Sequence, residues 1–199
     1  ANQRFREGLA KLKLDRGRVP RLEDVNRFLN PLTGFRATAV SGDIPAFQFY
    51  DCLRKGEFPT TITIRSSDRL DYLPEPDIFH DFFGHVPLHA HPAFADFLQE
   101  FGALASEADS EEETTAMARL FWFTVEFGLV REAGRVKIYG SGLISSHGDA
   151  SNALGPGCDR RPFSLDAVLA QPFAIDRMQG VLFVVDSYDQ LFAAVGALR

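Results

Sequence analysis

Two histidines, His80 and His85, stand five residues apart in Pro74-Glu75-Pro76-Asp77-Ile78-Phe79-His80-Asp81-Phe82-Phe83-Gly84-His85-Val86-Pro87. On an undistorted helix such a pair points about 140° apart, so no regular helix turns both to one side. Gly84 and Pro87 suggest the way out. A helix opened by Pro76-Asp77 fails between the histidines, and the second swings back towards the first. Taken alone, a histidine pair at this spacing is more often incidental than a metal site.

Further along, Phe121-Trp122-Phe123-Thr124-Val125-Glu126-Phe127 sets one carboxylate in an apolar run. The neighbours of Glu126 one helical turn away on either side, Trp122, Phe123, Leu129 and Val130, are all apolar. The bland reading is a surface glutamate on an amphipathic helix. Burying a lone carboxylate costs several kcal/mol, so a buried Glu126 needs a cation. Two imidazoles and one carboxylate make the donor set of a mononuclear iron site with open positions. His80, His85 and Glu126 are therefore the candidate metal ligands and catalytic residues.

A length of 199 residues suits one domain with a sizeable core, and residues 1–199 read as a single catalytic domain. Nineteen phenylalanines are more than a core of this size requires, and the surplus is suited to lining an aromatic pocket. A formal charge of −6 argues against nucleic acid or an anionic membrane as partner. Cys52 and Cys158 lack metal-ligand spacing and make no disulfide framework. With neither a signal peptide nor a membrane span in view, the expected location is the cytoplasm.

Helices dominate, and the expected class is mostly α with a small β-sheet (α+β). Leu22, Val25, Phe28 and Leu29 predict a helix closed by Asn30-Pro31. Ala37 to Val40 reads as a strand ended by Ser41-Gly42-Asp43, and Pro45 opens a helix. Thr60 to Arg65 alternates as a strand. His91 to Ala105 is helical. Ser110 and Glu113 form a capping box for a helix that runs through Glu126 to about Glu132 and stops at Gly134. Arg135 to Tyr139 and Gly180 to Val185 read as strands, Gly140-Ser141-Gly142 as a tight turn, and Gly155 to Pro162 as a loop. Ser187 and Gln190 cap the last helix. His89, His91 and His147 read as surface or loop residues.

Four ordered motifs carry a resemblance. Pro74-Glu75-Pro76-Asp77, His80-Asp81-x-x-Gly84-His85-Val86-Pro87, Trp122-Phe123-Thr124-Val125-Glu126-Phe127-Gly128-Leu129 and Tyr139-Gly140-x-Gly142-Leu143-x-Ser145-Ser146 resemble the signature of the pterin-dependent aromatic amino acid hydroxylases. Asp81, after the first histidine, looks like the bacterial phenylalanine 4-hydroxylase branch. The resemblance implies that family's catalytic-domain fold, with Fe(II) on His80, His85 and Glu126. It also implies tetrahydrobiopterin or a related tetrahydropterin as cofactor, O2 as co-substrate and a small aromatic amino acid as substrate. Arg65 matches the arginine that grips the substrate carboxylate, braced by Asp77. Pro76, Trp122 and Ser145 match substrate-pocket positions, Trp122 favouring a one-ring substrate. Gly42, Ile44, Phe49, Asp81, Ala118 and Phe121 match pterin positions.

Phe121 stands where phenylalanine hydroxylases usually carry tyrosine, Leu73 replaces the threonine of the animal enzymes, and Pro59 replaces a histidine that contacts pterin in the animal enzymes. Family catalytic domains also carry more helices ahead of the region matched here, so the chain reads as a compact member or part of a longer protein. A monomer or homodimer is expected. The competing functions are hydroxylation of tryptophan or of another ring position, a zinc hydrolase, and a non-catalytic binding module. The hydrolase lacks the usual H-E-x-x-H motif.

Overall fold

The computed structural model describes residues 1–13, 17–42, 44–67 and 76–198. Expectations resting on Asp43, Leu73, Pro74 and Glu75 lie outside the described residues. The chain divides into two compact units, Gln3–Ile64 with Pro76–Glu107, and Ala1–Asn2 with Arg65–Glu75 and Ala108–Arg199. Helices predominate beside short strands, the expected α+β mixture. No described helix is long and apolar enough to cross a membrane.

The first unit opens with helix α1 (Gln3–Leu12), which buries Phe5, Gly8 and Leu12 along one stripe. Helix α2 (Leu22–Thr33) buries Val25 and Leu29 and runs past Pro31, where termination was expected. The proline's missing donor leaves only the carbonyl of exposed Arg27 unanswered. Gly34 ends the helix instead, left-handed at φ 77°, its N–H donating to the Asn30 carbonyl. Strands β1 (Arg36–Ala39) and β2 (Glu57–Thr60) pair in parallel around helix α3 (Ala46–Arg54). The expected strand over 60–65 is corrected: β2 ends where its partner ends, and Ile62 and Ile64 beyond it are exposed. A π-helix, π1 (His80–His85), runs directly into α4 (Val86–His89), and α5 (Pro92–Ser106) follows. Helices α3 and α5 cross closely because Gly102 has no side chain. A Cβ there would lie 2.5 Å from the Arg54 nitrogen and 2.7 Å from the Tyr50 oxygen.

In the second unit, Ser110 caps helix α6 (Glu111–Phe121) by accepting from the Glu113 N–H, and Glu113 in return accepts from the Asp109 N–H. A second π-helix, π2 (Trp122–Glu126), continues α6. The helix does not reach Glu132 as expected, because Leu129–Glu132 is strand β3, hairpin-paired with β4 (Arg135–Ile138) through Ala133 and Gly134, both at positive φ. Helix α7 (Ser141–Ser145) stands where a turn was expected, followed by α8 (His147–Leu154). The loop expected up to Pro162 contains strand β5 (Asp159–Pro162). Helix α9 (Leu165–Ala170), strand β6 (Val181–Val185) and helix α10 (Tyr188–Gly196) complete the unit. The sheet order is β4-β3-β6-β5, with β6 parallel to both neighbours and four of its five residues buried.

Candidate functional site

The first unit carries the histidines. Asp77, buried, accepts the His80 N–H at 2.9 Å and so starts the helical segment. The backbone then widens rather than breaks, which corrects the expected mechanism. In a π-helix, bonds run from each N–H to the carbonyl five residues back, and residues at i and i+5 come over one another. The Val86 N–H closes such a bond on the Asp81 carbonyl. Pro87 follows with no N–H to give, which relaxes the ladder where it widens.

His80 and His85 consequently meet, Nε2 to Nε2 at 3.0 Å, with their rings 84° apart. Imidazole nitrogens sit about 2.1 Å from a divalent first-row cation, so two at right angles on one ion lie about 3.0 Å apart. The pair fits a metal. Phe58 packs on the His85 ring at 4.4 Å and on His89 at 4.7 Å, fixing the plane of the buried imidazole. His89 is fully buried among Phe35, Phe58 and Phe94, so its reading as a surface residue is corrected. Asp81, also buried, accepts from the Thr61 N–H at 2.7 Å and from the Thr61 hydroxyl at 2.9 Å, tying the chain after β2 to π1. Phe49 is half-buried, edge-on to Tyr50 and Phe58. Gly42 is exposed, Ile44 half-buried and Pro76 exposed.

The second unit carries the carboxylate. Glu126 ends π2, where the Phe127 N–H reaches back to the Trp122 carbonyl at 2.8 Å. Ser141, at the start of α7, donates to Glu126 Oε2 at 2.8 Å, a nearer acceptor than the Val125 carbonyl at 3.2 Å. That approach depends on Gly140, since a Cβ there would strike the Glu126 carbonyl. A half-buried carboxylate with one oxygen oriented by a hydroxyl suits a cation ligand.

The indole of Trp122 lies between Phe127 (4.6 Å, 26°) and Phe173 (4.5 Å, 15°). Arg65 donates from Nη1 to the Ser145 carbonyl at 2.9 Å, and the Ser145 hydroxyl donates to the Ser141 carbonyl at 2.8 Å. Next to them the Ser146 hydroxyl donates to Asp149 Oδ2, and burial pushes the Asp149 carboxyl above its ordinary value against the pull of that bond. Ala118 and Phe121 are half-buried at the end of α6.

Of the residues expected at the site, the first unit brings His80 and His85 together, with Asp77 and Asp81 as their supports. The second holds Arg65 against Ser145 and stacks Trp122. Ser141, Phe58 and Phe173 went unread in the sequence. Ser141 passed for part of a turn, and Phe173 lies in a stretch without periodicity.

Comparison with known proteins agrees with this chemistry. The family model of the biopterin-dependent aromatic amino acid hydroxylases matches residues 2–196. The phenylalanine-4-hydroxylase of Chromobacterium violaceum is 41% identical over 191 residues, covering 96% of this chain and 64% of its own. That of Mesorhizobium japonicum is 42% identical over 193 residues, covering 96% and 70%. The chain thus spans just under two thirds of the length of the first relative. A crystal structure of the C. violaceum enzyme with bound iron(III) and oxidised 7,8-dihydrobiopterin superimposes with a TM-score of 0.95 at 40% identity, covering 99% of this chain and 72% of that one.

Proposed function

Because this chain belongs to the biopterin-dependent aromatic amino acid hydroxylases, we propose that it hydroxylates the ring of an aromatic amino acid, converting L-phenylalanine to L-tyrosine. The observation that carries this reading is the pair of imidazole nitrogens 3.0 Å apart on π1. His80 and His85 hold Fe(II) as neutral imidazoles, and Glu126 is the third, anionic ligand, oriented by Ser141. When bound, the iron and a tetrahydropterin supply the oxygen chemistry: the pterin gives two electrons, and O2 delivers one atom to the substrate ring and the other to the pterin.

Everything else is positioning. Arg65 grips the substrate carboxylate, for which its planar guanidinium is the right shape; the Ser145 carbonyl orients it. Pro76, Asp77 and Ser145 complete that end. Trp122 walls the ring. Phe49 stacks on the pterin, with Gly42, Ile44, Asp81, Ala118 and Phe121 around it. Removing water from these walls strengthens the hydrogen bonds that hold the substrate in register. The protein works in the cytoplasm as a monomer or homodimer, a compartment suited to thiols that, like Cys52 and Cys158, form no disulfide.

The test is product identification. Offered phenylalanine, tyrosine and tryptophan together with Fe(II), tetrahydrobiopterin and oxygen, the protein forms tyrosine from phenylalanine ahead of any other product. No hydroxylated amino acid from an iron-replete sample overturns the proposal.

A further inference from the structure

Both faces of the Trp122 indole are covered, by Phe127 from the end of π2 and by Phe173 from the 171–180 loop between α9 and β6. A ligand beside Trp122 therefore meets the edge of the indole, and the rotation of that edge sets how wide the space is. Phe127 is five residues along the same backbone and is bonded to it, its N–H donating to the Trp122 carbonyl at 2.8 Å. Phe173 is the independent leaf. Its ring is face-on to Trp122 and edge-on to Phe123 at 6.4 Å and 86°, and Phe123 is in turn edge-on to Phe183 of β6. The stack is thus keyed into the sheet.

The loop that presents Phe173 is built to hold its shape. Gln179 is buried, and its side-chain amide donates to the Ala174 carbonyl at 2.6 Å and the Arg177 carbonyl at 3.0 Å. Asn152 donates to the Gln179 carbonyl at 2.9 Å, and Arg119 secures the end of α9 through the Leu169 carbonyl at 2.8 Å. Ile175 and Met178 of the same loop are exposed, so the loop has been folded to aim one aromatic inward rather than to bury its apolar residues. The indole Nε1 is buried and meets no acceptor among the described residues.

We infer that Phe173 is a specificity-determining positioning residue. It pins the plane of Trp122 so that the indole edge admits a one-ring amino acid and excludes a two-ring one. The inference rests on the proposed hydroxylase function.

Trp122 is the only tryptophan of the chain, so its fluorescence reports on the stack without any turnover. Phe173→Leu and Phe173→Ala shift the emission and lower the ratio of kcat/KM for phenylalanine to kcat/KM for tryptophan by about tenfold or more, the scale at which pocket size discriminates. The change lies mainly in KM and kcat for tryptophan, while the melting curve stays cooperative. Phe173→Tyr keeps the ring and restores both emission and ratio. An unmoved ratio in Phe173→Leu with a shifted emission overturns the inference, as does an unshifted emission. Equal losses for both substrates reduce Phe173 to packing and also overturn it. A wild-type protein that hydroxylates neither amino acid overturns the hydroxylase reading itself, a different result from an active wild type with an unmoved ratio.

Discussion

The Ser141 hydroxyl orients the Glu126 carboxylate. Ser141 holds one oxygen by a charge-assisted bond at 2.8 Å, and supports of this kind carry about 10–100-fold of metal affinity. Ser141→Ala is expected to lose that amount in competition with a chelator, with little change in folding. On the proposed role of Arg65 as partner of the substrate carboxylate, Arg65→Ala is expected to lower kcat/KM for phenylalanine by a factor equivalent to about 2–5 kcal/mol. An unchanged kcat/KM would remove Arg65 from the substrate site. Asp149 makes a pH prediction. Burial raises its carboxyl above the unfolded value of about 3.9. Between that value and the raised one, the native state keeps a proton that the unfolded chain has lost, so stability falls as pH rises through the interval. Asp149→Asn is expected to flatten that fall in urea unfolding measured across the acid range. An identical slope in the variant would contradict the assignment.

At the scale of elements, both segments that carry the candidate ligands, His80–His85 and Trp122–Glu126, are π-helical, which the sequence does not mark. The caps at Ser110 and Ser187 are local chemistry, each needing only residues three apart, and both stand as read. A widened turn leaves no such mark. The spacing of His80 and His85 looks the same whether a helix breaks or widens, and only the backbone distinguishes them. The apolar residues of Leu129–Glu132 continue the run before them and so predict helix; pairing with β4 and β6 decides the segment as strand. The exposed, charged strand Asp159–Pro162 has no strand pattern at all and exists through its ladder with β6. The tether from Asp81 to Thr61 couples π1 to the chain after β2, beside the Ile78 N–H that donates to the Thr63 carbonyl at 2.8 Å. Asp81→Ala leaves the Thr61 N–H without that acceptor, and thermal unfolding is expected to register about 1–3 kcal/mol of lost stability. A melting temperature within error of wild type would show that the tether contributes nothing.

For the whole molecule, a metal that binds the native chain and not the unfolded one must stabilise it. At a free concentration a hundred times Kd the gain is about 2.7 kcal/mol, and the melting temperature of the wild-type protein is expected to rise accordingly with Fe(II). The rise should vanish in His85→Ala. Much of the site was legible because its chemistry is unusual. An acidic residue ringed by apolar ones needs a cation, and that need gives weight to a histidine pair that alone is more often incidental. Ser141 and Phe173 were not legible, since a serine between glycines and a phenylalanine among nineteen carry no signal until packing supplies one. The most direct measurement is the stoichiometry and affinity of Fe(II) for the wild type, His80→Ala, His85→Ala and Glu126→Ala. One iron per wild-type chain, with binding in each variant weakened by more than the about 10–100-fold that an outer support carries, is the predicted result. Undiminished binding by Glu126→Ala or by either histidine variant would contradict it.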